Sequence, residues 1–165
     1  MTSPASDWED RLAILWASID DYPESEFVER IDALAAELPA DSPVAAFERG
    51  GARDSTGDPA AAIVLYRRAL DLGLSGIRRR RAVVQLASSL RNLGDVAESV
   101  SLLSAERDAG SDELDDAVRA FLALALVDSG REREAVAIAL EALAPHLVRY
   151  QRSLANYARA LTEDA

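Results

Sequence analysis

Apolar residues recur along this chain at the three-to-four-residue spacing of a helix face, and nowhere do they alternate at period two for long enough to make a strand. Trp8, Leu12, Leu15, Trp16 and Ile19 predict an amphipathic helix over 7–20, and Phe27, Ile31, Leu34 and Leu38 predict a second over 24–38, with Asp21-Tyr22-Pro23 breaking the chain between them. Ser42-Pro43 and Asp58-Pro59 each set a capping side chain before a proline at the first helical position. From there helices are expected over 43–55, 59–72, 77–93, 95–108, 112–129 and 131–143. Pro145 ends or kinks the last of these. Leu147, Tyr150, Leu154, Tyr157 and Leu161, opposed by Arg149, Arg152, Asn156 and Arg159, predict a final capping helix over 146–162 that buries its apolar stripe against the helices before it. Residues 1–6, small and polar, are expected to be disordered.

The middle helices share a register. Gly57, Gly94 and Gly130 lie 37 and 36 residues apart, and the same offsets recur around each. Seven residues before stand Gly50, Ala87 and Ala123; five after stand Ala62, Ser99 and Ala135; nine after stand Tyr66, Leu103 and Ala139. Small residues at the first two offsets let two antiparallel helices approach closely, and the larger residue fills the gap beyond. Eight and four residues before the glycine, the second and third units carry Leu86 with Leu90 and Leu122 with Leu126, whereas the first carries Arg49 with Arg53.

This pattern resembles the tetratricopeptide repeat, a helix-turn-helix unit with a period of about 34. The likeness covers 42–143, with the extra residues of each period at 73–76 and 109–111. The run RRRRAVVQLASSLRNLGDVAESVSLL is similar to a bacterial tetratricopeptide-like group that often stands as a small separate protein. The resemblance implies an all-α, right-handed α-solenoid of antiparallel helix pairs in a single domain over 7–162. A degenerate N-terminal pair (7–38) would cover the first of three repeats (42–74, 76–109 and 111–144), and the capping helix would close the other end. It implies a binding scaffold with no chemistry of its own.

Composition narrows the picture. At 165 residues the chain fits one domain, and with 49% hydrophobic but only 5% aromatic residues its core must be built from Leu, Ala, Val and Ile. The absence of cysteine removes disulfides, thiolate metal sites and cysteine nucleophiles. No signal peptide is expected from MTSPASDWED, and no run of 18 apolar residues follows, so a cytoplasmic protein without membrane contact is expected. All 18 basic residues are arginine, which suggests a GC-rich genome and fits a bacterial source. A net charge of −11 argues against nucleic acid as a partner. That charge is uneven, because residues 1–47 carry eleven acids against Arg11 and Arg30, a net of −9. The acidic end either serves solubility or favours basic surfaces.

Candidate chemistry is sparse. His146 is the single histidine, so neither a catalytic triad nor a histidine metal site can be assembled. Asp112, Glu113, Asp115 and Asp116 fall in the expected first turn of a helix, where acids stabilise exposed N–H groups, rather than forming a metal site. Gly50-Gly51, and Gly73 with Gly76, lack the spacing and lysine of a phosphate loop. No cofactor and no catalytic residue is expected.

The arginine run 78–81 is the sharpest remaining feature. Arg78, Arg81, Gln85, Ser88 and Asn92 share one helical face, opposite Val83, Leu86, Ala87 and Leu90. In the family resembled, the first helix of each unit lines a concave groove. The matching positions here are Arg81, Val84, Ser88, Arg91 and Asn92, flanked by Asp54 and Ser55 from the first unit and by Leu124, Val127 and Asp128 from the third. Such a groove could hold an extended segment or helix bearing carboxylates, through bidentate guanidinium pairs. The alternative, in which these arginines pair with local acids such as Asp71, stays open. The lysine and asparagine with which some family members grip a free C-terminal carboxylate are absent, their places in the first unit being Phe47 and Gly51. The expected function is a non-enzymatic scaffold for a protein or peptide partner. A second expectation is a homo-oligomer in which the acidic end of one copy meets an arginine-bearing surface of another.

Overall fold

The computed structural model describes residues 4–163, so 1–3, half of the segment expected to be disordered, lie outside the described residues. The described residues form nine α-helices and no strand. These are α1 (Pro4–Ala17), α2 (Glu24–Ala35), α3 (Pro43–Ser55), α4 (Pro59–Asp71), α5 (Gly76–Asn92), α6 (Val96–Ala109), α7 (Asp115–Asp128), α8 (Glu132–Leu143) and α9 (Gln151–Glu163). Single 3-10 turns follow α1 (Ile19–Asp21) and α8 (Ala144–His146). Neighbouring helices pack in pairs, α3 with α4 and α7 with α8 among them, giving an all-α helical-repeat architecture. The chain divides into two compact units, up to Ala82 and from Val83 on, with the boundary inside α5.

Local chemistry sets the helix ends. Ser42 Oγ accepts the Ala45 N–H at 3.2 Å and Asp58 Oδ1 the Ala61 N–H at 3.0 Å, each ahead of a proline at the first helical position. The turn inside each repeat closes with one recurring bond. The carbonyls of Arg53, Leu90 and Leu126 accept the N–H groups of Asp58, Asp95 and Arg131 at 2.8, 2.9 and 2.9 Å. The residue before each donor is Gly57, Gly94 or Gly130, at φ of 83°, 92° and 75°, a left-handed conformation in which a Cβ is strained.

Several boundaries differ from expectation. Helix α1 spans Pro4–Ala17 and not 7–20, so that 4–6, expected to be disordered, are helical, and α2 ends at Ala35 and not at 38. Helix α7 begins at Asp115 and not at 112, because Asp112 Oδ1 takes the Leu114 N–H at 2.7 Å and so competes with the helical backbone. Helix α9 begins at Gln151 and not at 146, because the 3-10 turn through Pro145 is followed by extended Leu147 and by Tyr150 at φ 69°.

In the first unit, Trp8, Leu12, Phe27, Ile31, Leu34 and Ala52 form one cluster. Trp16 packs edge-on against Phe27 with ring centroids 5.2 Å apart, and Trp8 Nε1 donates to the Leu34 carbonyl at 2.9 Å. A Cβ on Gly50 would stand 2.9 Å from the Tyr66 ring, and one on Gly51 would stand 3.1 Å from Trp16. Arg49 and Arg53, which replace the apolar pair of the other repeats, both reach Asp32 on α2, and Arg53 does so with two nitrogens at 2.9 and 2.7 Å. In the second unit, Val84, Ala87, Leu103, Val118, Leu122 and Leu126 share a core with Ala135 and Ile138.

The capping helix departs from expectation in its seat. Helix α9 packs on α8, where Arg133 Nε donates to the Leu161 carbonyl at 3.3 Å and Ala137, Ala144 and Ala158 are buried. Only Leu147, Leu154 and Leu161 of the predicted stripe are partly buried, whereas Tyr150 and Tyr157 are exposed.

Candidate functional site

The first two turns of α5, in the first unit, carry Arg78 and Arg81, and their surroundings differ. Arg78 is half-buried between two carboxylates, donating to Glu9 on α1 (Nη1 at 3.0 Å) and to Glu48 on α3 (Nε at 3.1 Å). Glu48 is only 2% exposed, and its other oxygen accepts the Trp16 indole N–H at 2.9 Å. A buried carboxylate is costly unless its lone pairs are taken. Arg78 and Trp16 supply that, so Arg78 holds α1 and α3 together. The hydrogen bond to Glu9, reinforced by the charge of Glu48, holds its guanidinium still more firmly in the charged form against the opposing pull of burial.

Arg81, three residues on, is exposed and makes no ion pair with a described residue. Its guanidinium carbon stands 5.2 Å from the centroid of the buried Phe47 ring. Beside it opens a cavity of about 250 Å³ lined by Arg78, Arg81, Glu9, Trp16 and Glu48 among others. Tyr66 lies beneath. Burial first, and the nearby Asp54 carboxylate next, push its phenol well above the usual range, so it stays neutral and donates to Asp54 at 3.3 Å. Ser55 is exposed.

The other predicted residues belong to the second unit. Arg91 Nη1 donates to Asp128 Oδ2 at 3.1 Å and its Nη2 to Asn92 Oδ1 at 3.3 Å, so the expected flank from α7 is in contact with it. Leu124 and Val127 are exposed on the same helix as Asp128, and Ser88 is partly exposed. Val84 corrects the expectation. At 6% exposure it belongs to the core, because α7 packs Val118 and Leu122 onto the same cluster. The anticipated pairing of the arginines with Asp71 is replaced, for Arg78 and Arg91, by Glu9, Glu48 and Asp128.

Glu48 and Trp16 escaped the sequence reading. Their signal was there, since Glu48 is an acid set among Ala45, Ala46, Phe47 and Ala52, at positions a helix turns inward. His146 lies outside this region, with Nε2 2.8 Å from Asp116 Oδ2; it is the main reason that the Asp116 carboxyl sits below its usual range, with Arg119 adding to the effect.

Among the described residues no helix is long and apolar enough to cross a membrane. The model of one protein family, described as tetratrico peptide repeat, matches residues 43–161. No curated protein and no solved structure matches the chain.

Proposed function

Because the chain belongs to the tetratricopeptide repeat family, whose repeats generally mediate protein–protein interactions, we propose that it is a non-enzymatic cytoplasmic scaffold that binds a carboxylate-bearing peptide or helix along the polar face of α5, anchored by Arg81. The observation that carries this reading is the difference between neighbours. Arg78 and Arg91 spend their charge on Glu9, Glu48 and Asp128, while Arg81 is exposed, without an ion pair to a described residue, and oriented by Phe47. A guanidinium held over an aromatic ring loses little further freedom on pairing, so an incoming carboxylate meets a prepared donor pair.

Arg81→Ala should leave thermal stability within about 0.5 kcal/mol and weaken a carboxylate-bearing partner by about 1.5–3 kcal/mol. Co-purification from the source organism with wild type and variant, read by mass spectrometry, tests it. A variant that retains every partner overturns the assignment of Arg81.

A second reading is self-association of the acidic N-terminal end with an arginine-bearing surface, supported by Asp20, Asp21, Glu24 and Glu29, which are exposed and make no ion pair with a described residue. It predicts an oligomer that added salt dissociates by screening.

A further inference from the structure

The repeat register exposes a face that should be covered. In the first repeat Phe47, Gly50, Ile63 and Tyr66 are all buried. Their equivalents 37 residues on, Val84, Ala87, Val100 and Leu103, lie in a core with Val118, Phe121 and Leu122 of α7. Another 36 residues on come Ala120, Ala123, Val136 and Ala139, and here the pattern breaks. Ala120 and Ala139 are exposed, Val136 is 48% exposed, and with Leu124 and Val127 they line an open hollow of about 380 Å³ between α7 and α8. The following helix does not fill it. Helix α9 sits on the other side of α8, covering Ala137, whose equivalents Val64 and Ser101 are exposed in the earlier repeats.

Helix α9 nevertheless carries the matching pattern. At the same 36-residue spacing, Val118, Phe121, Leu122 and Ala125 of α7 become Leu154, Tyr157, Ala158 and Leu161. Ala158 is spent on α8, but Tyr157 is 71% exposed and so is Tyr150, at 76%, just before the helix begins. Charge agrees with shape. Tyr150 and Tyr157 are flanked by Arg149 and Arg152, both exposed and without an ion pair to a described residue. The open face is bordered by an acid, Glu132, which is exposed one turn before Val136 and makes no ion pair with a described residue. We propose that the open α7–α8 face receives the Tyr150–Tyr157 side of α9 from a second copy of this chain. Helix α9 need not leave α8 to do so, and its buried alanines stay covered. Each copy offers one of each surface, so the contact can repeat head-to-tail or close reciprocally into a two-fold dimer.

Sedimentation of the full chain over a range of concentrations tests this with two variants at exposed positions. Wild type should associate as concentration rises. Val136→Glu on the open face and Tyr157→Glu on α9 should each raise the dissociation constant about tenfold or more, since each sets a charge in an apolar contact. An equimolar mixture of the two variants should regain a complex of one copy of each and stop there, because Val136→Glu keeps an intact α9 and Tyr157→Glu keeps an intact face. Circular dichroism confirms folding, and Val136→Ser with Tyr157→Ser repeats the experiment should a charged variant unfold. A monomeric wild type overturns the proposal, and so does association that survives Val136→Glu. Two monomeric variants that fail to recover on mixing overturn it as well, and point to α7–α8 faces pairing with each other or to a foreign helix.

Discussion

The α3–α4 pair and the α7–α8 pair occupy the same place in the repeat and solve it in opposite ways. In α3–α4 the position nine residues after the turn glycine is Tyr66, fully buried, and the position seven before is Gly50, whose missing side chain leaves the ring its room. In α7–α8 the same two positions are Ala139 and Ala123, and Ala139 lies open. Bulk at one offset demands absence of bulk at the other, because interiors pack to near-crystalline density and cannot absorb both. Where neither residue is large the interface survives on small contacts and leaves an apolar surface for something else.

The comparison breaks most severely at its aromatic end. Tyr66→Ala removes a fully buried ring and should cost about 3–5 kcal/mol in chemical denaturation, with loss of its bond to Asp54 included. Gly50→Ala should come next, at about 1–3 kcal/mol, because the added methyl meets a ring with nowhere to move and this outweighs the gain in helix propensity of about 1 kcal/mol. The double variant Gly50→Ala with Tyr66→Leu recreates the pairing of Ala87 with Leu103 in the next repeat, and should be more stable than Tyr66→Ala. If it is not, the register that aligns the repeats is wrong. Ala139→Leu tests the open end and should change stability by no more than about 0.5 kcal/mol, since the side chain enters solvent-filled space.

Much of this contrast was visible before any coordinates. The turn glycines, the small residues at fixed offsets and the proline-marked helix starts are local requirements, and α3 falls where the pattern placed it, over Pro43–Ser55. Arg49 and Arg53 were visible as an anomaly in the first repeat, but their reason, Asp32 on α2, was not. The arginine face of α5 was legible as a face, while the fates of its members were not. Arg78 meets Glu9 from 69 positions away, and Val84 is covered by a helix that starts thirty-one residues later. A helical wheel states which side chains share a side, not which side the next helix will take.

The amino-acid sequence by itself determined an all-helical chain, the pairing of consecutive helices, the 36- and 37-residue register and a core of alanine and leucine. Each of these follows from interactions within a few turns, where backbone hydrogen bonding, left-handed glycine and helix periodicity leave few choices. Only the tertiary structure decided that Arg78 is an internal strut and Arg81 an exposed cation, that Glu48 is buried with both oxygens taken, and that α9 lies on the side of α8 away from the α7–α8 hollow. Those outcomes depend on small differences between competing packings of the same amphipathic faces, set by side chains that approach from distant parts of the chain. Pro145 and the extended residues after it illustrate this: the proline announces that α8 must stop, and the angle at which the chain leaves decides which face α9 covers.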